Sequence, residues 1–387
     1  MSEVRSAECV PGKSLLLVAY YPPERGTGGG LRLLDLYRLL ARSVQGLAIT
    51  LLTCDHGAPL DPELSSIFKR VVLVKPDQFC GEGIRKTGVL SEQFDVVDLE
   101  YLQAGDLVGF FKAAGTSRVV VSPMESHVRA AGLALRHRVR SVSSIKHWLR
   151  CDLRYAIREL RGVWSADRVM CVSADDAAVL RWFRPWGAVC AIETGVSEAE
   201  FKGVLQSAGV RLLIGAPTLT YLAYFGSQTN MDALGWYLEN VHPSVKASVP
   251  GYRFRIVGRG LSAIPATCGD EAVDVIGEVD SLQVELARAW VGIAPALGGA
   301  GMRGKINQYA IMGVPCVASV LAGKGFAYES GKSIRLADDA DQFASACIDL
   351  LTSPEYNREM GAVARQVCLD NYCWESRLTG LRDIFSL

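Results

Sequence analysis

The feature that most constrains the fold lies at residues 294–319, which read A-P-A-L-G-G-A-G-M-R-G-K-I-N-Q-Y-A-I-M-G-V-P-C-V-A-S. An apolar run ends at Pro295, and a glycine-rich turn follows it at Gly298, Gly299 and Gly301. The next apolar residues recur at helical spacing, and a second apolar run closes the segment. This order of strand, turn, helix and strand predicts a βαβ unit, whose turn directs backbone N–H groups above the sheet.

The same turn carries two cations, Arg303 and Lys305, at the start of its predicted helix, next to Met302. Backbone amides, a helix N-terminus and two cations suit a pyrophosphate group. We therefore interpret the turn as a phosphate-binding site. The alternative is a tight turn with solvated charges, because glycine turns open many α/β helices that bind no ligand.

The composition is that of a globular protein with two domains. The chain has 387 residues, more than one ordinary core accommodates, and 49% of them are hydrophobic. Its 41 basic residues balance its 41 acidic ones, which argues against nucleic acid as a partner. No apolar run approaches the roughly 20 residues that span a bilayer, and the N-terminus lacks the apolar core of a signal peptide. Eleven cysteines without CxxC pairs favour reduced thiols, so we expect a cytoplasmic protein without bound metal.

Apolar runs that alternate with helical stretches predict two α/β domains, each a doubly wound parallel sheet. The strands expected in the first half are residues 14–19, 48–53, 71–74, 96–99, 118–122, 168–173 and 188–193. Those expected in the second half are residues 221–226, 253–258, 273–277, 290–295, 314–319 and 333–336. We predict Rossmann-like domains over residues 1–200 and 210–373, with a break near residues 196–215 and a ligand cleft between them.

The first crossover, Y-Y-P-P-E-R-G-T-G-G-G-L-R, places Gly28, Gly29 and Gly30 directly before a predicted helix that carries Arg32. It is not the dinucleotide fingerprint G-x-G-x-x-G. Glycines at this position still let a ligand approach the backbone, although a flexible loop is the alternative. The first turn of the second sheet, F-G-S-Q-T-N-M-D, also opens a helix.

Two further features lie in the first half of the chain. Glu125 and His127 follow the fifth strand, where function is favoured, although a lone histidine is more often a hydrogen-bonded structural residue. Cations repeat every four residues along one helix face, at Lys146, Arg150, Arg154 and Arg158. This face suits anionic lipid or an acidic acceptor. We favour a solvated face, because Asp152 and Glu159 lie nearby.

These segments together resemble the GT-B glycosyltransferases, and within them the large retaining family four. The matching motifs are Y-P-P…G-G-G-L-R, A-D-R-V-M-C-V-S, E-T-G-V, F-G-S-Q-T-N-M-D-A-L, F-R-I-V-G-R-G and G-A-G-M-R-G-K…G-V-P-C-V, in that order along nearly the whole chain. The resemblance implies a nucleotide-sugar donor on the C-terminal domain, an acceptor on the N-terminal domain, no metal, no further cofactor and retention of configuration. It also implies that the final helix, within residues 374–387, returns to the N-terminal domain.

The chain departs from the family at its donor site. Members carry two glutamates where this chain has Ala300 and Gln308; the second glutamate binds the donor's ribose, and Gln308 keeps only a carbonyl acceptor. The turn that often supplies a cation reads S-Q-T-N here, so Arg303 and Lys305 are expected to substitute.

The expected activity is transfer of a hexosyl or related group from a nucleotide-diphosphate donor to a saccharide, lipid-linked or protein acceptor, with peripheral membrane contact left open. A glycosyltransferase-like binding or scaffold protein that has lost catalysis is the alternative. The expected catalytic residues are Arg303, Lys305, His127 and Glu125. The expected donor-binding residues are Gly28, Gly29, Gly30, Arg32, Ser227, Asn230, Gly258, Gly299, Gly301, Met302 and Gln308.

Overall fold

The computed structural model describes residues 12–137, 141–197, 201, 213, 215–260, 269–298 and 303–387. Its strands are β1 Ser14–Ala19, β2 Ala48–Cys54, β3 Arg70–Val74, β4 Val96–Glu100, β5 Arg118–Ser122, β6 Arg168–Cys171, β7 Ala188–Ala191, β8 Thr218–Leu222, β9 Arg253–Val257, β10 Val273–Gly277, β11 Val291–Ala294, β12 Cys316–Ala318 and β13 Arg335–Leu336.

The helices of the first half are α1 Gly28–Ser43, α2 Leu64–Ile67, α3 Gly81–Lys86, α4 Tyr101–Gly105, α5 Val108–Ala113, α6 His127–His137, α7 Val142–Arg150, α8 Asp152–Ser165 and α9 Ala174–Phe183. Those of the second half are α10 Gln228–Asn240, α11 His242–Ser248, α12 Leu282–Ala287, α13 Lys305–Ile311, α14 Val320–Gly323, α15 Ala340–Thr352, α16 Pro354–Tyr372 and α17 Leu378–Phe385. Short 3₁₀ helices lie at Pro76–Gln78, Val89–Ser91 and Trp374–Arg377. None of the described helices is both long and apolar enough to cross a membrane.

The first seven strands form one parallel sheet in the order β3-β2-β1-β4-β5-β6-β7. Its central strand β1 is buried on both faces, because every side chain from Leu15 to Ala19 is fully shielded from solvent. One hydrophobic core lies on each face of the sheet. The order reverses between β1 and β4, which leaves a crevice above the carboxyl ends of these strands.

The remaining six strands form a second parallel sheet in the order β10-β9-β8-β11-β12-β13. Two further hydrophobic cores cover its faces. Here the order reverses between β8 and β11, as it does between β1 and β4 in the first sheet. The alternation of continuous apolar strands with helices therefore confirms the predicted α/β class with two doubly wound sheets.

The chain end returns to the first sheet. Helix α16 packs in a core of the second sheet, whereas the Trp374 side chain, one turn further on, packs among residues of the first sheet together with α17. The crossing is held where Val196 N donates to the carbonyl of Tyr372 at 2.8 Å and Trp374 N donates to the carbonyl of Val196 at 3.1 Å. Most of the predicted break near residues 196–215 lies outside the described residues.

One expectation about helices was wrong. The four-residue spacing from Lys146 to Arg158 predicts a single helix, but the structure has two, α7 and α8, that meet at Cys151. Cys151 adopts φ −110° and ψ −71°, which is outside the geometry of a continuous helix. The chain changes direction there, so the four cations lie on two neighbouring helices.

Candidate functional site

A cavity of about 550 Å³ lies between the two sheets. Its walls are the loops that follow β1, β5, β8, β9, β10 and β11, so it opens above the carboxyl ends of both sets of strands. Ligands of doubly wound sheets bind at this end, where the strand order reverses. The volume is in the range of small-molecule sites, and the cavity is therefore the candidate functional site.

The floor of the cavity is a split between β8 and β11. These strands pair only at Leu219 and Thr220, and beyond that point the hydroxyl of Tyr309 lies between them. This hydroxyl accepts a hydrogen bond from Leu222 N at 2.8 Å and lies 3.1 Å from the carbonyl of Thr220. The predicted strand at residues 221–226 was wrong in position, since the observed strand is Thr218–Leu222. At its end Leu222 N bonds the Tyr309 side chain on the side of β11, although Leu222 still pairs with Val257 of β9.

Lys305 lies beside this split and lines the cavity. Its half-buried ammonium is 4.4 Å from the centre of the Tyr221 ring and donates a long hydrogen bond of 3.5 Å to Asn230 Oδ1. Loss of hydration, with a smaller contribution from the positive charge of Arg303, lowers the pKa of Lys305 to about 7. A cation held with so little compensating charge favours an anionic ligand.

Arg303 is the second cation of the cavity. Its Nη2 donates to the carbonyl of Gly298 at 2.7 Å. Burial lowers the pKa of Arg303, and the carboxylate of Glu125 opposes that shift. Glu125 belongs to the loop after β5, so an acidic group of the first domain faces a cation of the second across the cavity.

Arg259, a third cation in the cavity wall, is a residue that sequence reasoning missed. It follows β9, and its Nη2 forms an ion pair with Glu24 of the loop after β1, so the pair bridges the two domains. Its guanidinium also lies 5.8 Å from the centre of the Tyr224 ring. The loop after β1 passes so close that a Cβ on Gly26 would come within 2.2 Å of the guanidinium carbon. The motif V-G-R-G directly after an apolar strand was the available signal.

The three glycines of the first crossover have different positions. They form the first turn of α1, where Thr27 caps the helix by accepting from Gly30 N at 3.1 Å. Gly28 lines the cavity, whereas Gly29 and Gly30 do not. A Cβ on Gly30 would come within 2.7 Å of Glu24, so packing inside the loop requires glycine there.

Arg32 lies at the cavity wall, but its hydrogen bonds are made within the first domain. Its buried guanidinium donates to the carbonyl of Ile192 at 2.7 Å and to Thr194 Oγ1 at 3.2 Å. Desolvation lowers its pKa, and the buried carboxylates of Glu100 and Asp98 oppose that shift. These bonds direct the charge toward the protein interior, whereas the sequence analysis expected Arg32 to bind the donor.

Other expected site residues divide into three groups. Ser227, Asn230, Gly258 and Gln308 line the cavity. His127 does not; its ring packs 5.6 Å from Tyr155, and burial lowers its pKa. Gly299, Gly301 and Met302 lie outside the described residues.

Gly258 has φ +134°, and a Cβ there would overlap the carbonyl oxygen of Ala223 at 1.8 Å, so the turn after β9 requires glycine.

Within the described residues, no three His, Cys, Asp or Glu side chains are grouped closely enough to hold a metal ion. The charges that the cavity presents to a ligand come from side chains of both domains. Cations on the second domain line one wall, and Glu125 lies on the other.

Comparison with known proteins agrees with this geometry. Residues 216–353 match the family model described as Glycosyl transferases group 1. Sucrose-phosphate synthase from Thermosynechococcus elongatus is similar with a TM-score of 0.74 and 17% identity, over 97% of this chain and 98% of that chain. Anabaena HepE in complex with UDP and glucose gives a TM-score of 0.69 and 12% identity, over 96% and 99%. No curated protein sequence matches the chain.

The resemblance to GT-B glycosyltransferases is thereby confirmed. The whole chain has the GT-B fold, and residues 216–353 are similar to the group 1 glycosyl transferase model.

Proposed function

We propose that this glycosyltransferase moves a hexosyl or related group from a nucleotide-diphosphate sugar to an acceptor, with retention of the anomeric configuration and without a metal ion. The observation that carries the proposal is the interdomain cavity with Arg259, Arg303 and Lys305 in its wall. The diphosphate is the negatively charged part of such a donor, and clustered cations suit it. The complex of Anabaena HepE with UDP-glucose supports this class of donor.

The proposed chemistry follows from where charge develops. When the bond between the sugar and the diphosphate breaks, negative charge grows on the leaving phosphate, and fixed positive charge stabilises it. Lys305 and Arg303 supply that charge in the second domain. Glu125 lies on the opposite wall, where an acceptor hydroxyl would enter from the first domain. The Gln308 carboxamide lines the cavity on α13 and offers the ribose hydroxyls a neutral acceptor.

Two finer parts of the proposal rest on separate arguments. Independence of a metal is supported by the side-chain cations, which perform the charge neutralisation that a divalent ion performs in other phosphate chemistry. Retention is supported by the ordered motifs shared with the retaining family, from G-G-G-L-R near the start to G-V-P-C-V near residue 317.

A direct assay tests the proposal. We expect the protein, incubated with UDP-glucose and with other nucleotide sugars in turn, to release a nucleoside diphosphate with at least one of them. The rate should not change when EDTA is added, because side chains hold the leaving phosphate. Proton NMR of the earliest sugar product should show the anomeric configuration of the donor. Inversion, or complete loss of the rate with EDTA, would contradict the corresponding part of the proposal.

The second candidate function is a nucleotide-sugar binding protein without turnover. The observation that favours it is Gln308, which lines the cavity in the position where the related enzymes carry a carboxylate. Such a protein would be stabilised in a thermal-shift assay by a nucleotide sugar and yet release no nucleoside diphosphate. Gln308→Glu then distinguishes a repaired site from an irrelevant one, since only repair raises the release rate.

The ion pair between Glu24 and Arg259 leads to a prediction about the same cavity. If a diphosphate takes Arg259 from Glu24, removing the carboxylate should help binding. An ion pair exposed to this extent contributes up to about 1 kcal/mol, so Glu24→Gln should tighten nucleoside diphosphate binding by up to about fivefold. Isothermal titration calorimetry with UDP measures the change. Glu92→Gln is the matched control. Glu92 forms an ion pair of 2.7 Å with Arg70, and neither residue lines the cavity. Weaker binding by Glu24→Gln would show that the pair holds the site together.

A further inference from the structure

Helix α7 leaves an apolar face uncovered. Val142, Ile145 and Leu149 recur at helical spacing, and their side chains are 69%, 45% and 50% exposed. A neighbouring face of the helix is anchored to the protein, where Trp148 Nε1 donates to the carbonyl of Ala131 at 2.8 Å. Ser141 and Ser144 form a capping box that fixes the start of the helix. The apolar stripe is therefore held rigidly and faces outward.

Cations flank this stripe on α7 and continue on α8. Two cations, Lys146 and Arg150, lie beside the stripe on α7. Two more, Arg154 and Arg161, lie on the exposed face of α8, and all four side chains are exposed. In the described part of the chain none of the four makes an ion pair. The whole chain has no net charge, so this concentration of positive charge is local.

The two nearby acids, Asp152 and Glu159, form no ion pair with these cations among the described residues, contrary to the reason for expecting an ordinary solvated face. Glu159 is buried and turned toward the start of α6, where Val128 N donates to its Oε2 at 2.8 Å. Desolvation raises the pKa of Glu159 to about 8. Arg158 is the cation that is paired, since its guanidinium binds Asp106.

Exposed tryptophans extend the same region. Trp164, at the end of α8, is half exposed, and its Nε1 donates to the carbonyl of Phe183 at 3.0 Å. That contact brings the end of α8 against the end of α9, where Trp182 and Trp186 are also exposed. Tryptophan is enriched where a protein meets the boundary between lipid headgroups and acyl chains.

We propose that this surface, formed by the outward faces of α7 and α8 and by the tryptophans at the end of α9, binds an anionic phospholipid bilayer. An interfacial helix places its apolar stripe at the headgroup boundary and its flanking cations against anionic headgroups. A purely acidic protein or polymer would match the cations but leave three aliphatic side chains and three indoles in water. The combination of both kinds of side chain favours lipid.

The surface adjoins the candidate site. Tyr155 of α8 packs against His127, which is two residues from Glu125 in the cavity wall. Membrane contact through α7 and α8 thus brings the side of the cavity that belongs to the first domain toward the bilayer. An acceptor anchored in lipid would reach the cavity from this side.

Cosedimentation with lipid vesicles tests the proposal, and the vesicles contain no sugar donor, so the result is independent of the proposed function. We expect the protein to sediment with vesicles of phosphatidylglycerol and phosphatidylcholine in equal parts, and far less with phosphatidylcholine alone. Each cation near an anionic surface changes binding by about fivefold. Lys146→Ser and Arg150→Ser should therefore each weaken apparent binding by about that factor, and salt should weaken it further.

The apolar stripe has its own matched control. Ile145→Ser should weaken vesicle binding, whereas Val363→Ser, on α16 of the second domain and also 45% exposed, should leave it unchanged. Blue-shifted tryptophan fluorescence should accompany binding. Sedimentation that is equal with neutral vesicles, or unaffected by Ile145→Ser, would overturn the proposal. So would retention on a heparin column without sedimentation on anionic vesicles, which would identify an acidic polymer as the partner.

Discussion

Arg303→Ala and Lys305→Ala are each expected to weaken the binding of a nucleoside diphosphate by roughly 10- to 150-fold, since a charge-assisted contact contributes about 1.5–3 kcal/mol. Both side chains line the cavity. Titration calorimetry with UDP alone isolates the phosphate contacts from those of the sugar. Arg303→Lys should recover only part of the loss, because an ammonium makes no paired contact with two phosphate oxygens.

The pH dependence of the same titration shows whether the positive charge of Lys305 contributes to the affinity for the nucleoside diphosphate. Lys305 has a pKa of about 7 in the free protein, so its ammonium is present below that pH and lost above it. A bound diphosphate favours the charged form and raises this pKa, so binding above pH 7 requires uptake of a proton. Affinity should therefore fall as pH rises from about 7 to 9, approaching tenfold per pH unit. Lys305→Ala should lose this slope. Arg303→Ala should keep it but begin it at a higher pH, because loss of the Arg303 charge raises the pKa of Lys305.

Lys332→Ala is the control for both variants. Lys332 forms an ion pair of 2.8 Å with Glu329 on the same domain, and neither residue lines the cavity. Its replacement therefore removes a cation from the domain without changing the site. Wild-type affinity in both cavity variants would place the phosphate elsewhere, with Arg25, Arg32 and Arg259 as the other cations of the wall. A pH slope that survives in Lys305→Ala would assign the titration to another group.

The sequence was sufficient for the architecture because most inner strands of the two sheets are buried on both faces. A strand such as β1, with Leu15 to Ala19 wholly buried, must be continuously apolar, and that pattern is visible without a structure. The ends of helices and strands were harder to predict. The break at Cys151 does not interrupt the four-residue spacing of the cations, so the spacing gives no sign of it. The end of β8 depends on Tyr309, which is 87 residues from Leu222 in the chain.

The candidate site was predictable only where local sequence determines it. Lys305 and Arg303 follow a glycine turn, a signal contained within ten residues, and both line the cavity. Arg259 was missed, because its importance comes from Glu24, a contact between residues 235 positions apart. Arg32 was expected to bind the donor because its contacts within the protein are not visible in the local sequence. Its partners Ile192 and Thr194 are distant in the chain, so nothing near Arg32 shows that the guanidinium is already bound.

Trp374 is the residue whose replacement should most affect stability. Its indole is 1% exposed in the core of the first sheet, although the helix that precedes it belongs to the second. Nε1 donates to Asp35 Oδ2 at 3.1 Å, and the Arg32 guanidinium lies 5.6 Å from the ring centre. The ring is packed so closely that a Cβ on Gly195 would lie 2.8 Å from it.

Trp374→Ala should therefore destabilise the first domain by about 3–5 kcal/mol, the usual loss for a large aromatic side chain removed from a core. Urea unfolding followed by far-UV circular dichroism measures the change, with Trp182→Ala as the matched control. Trp182 is 79% exposed, so its loss should change the unfolding free energy by less than about 0.5 kcal/mol. Nucleoside diphosphate binding should change much less than stability, because Arg303 and Lys305 belong to the other sheet. A loss below about 1 kcal/mol would mean that the core of the first domain is complete without the chain end.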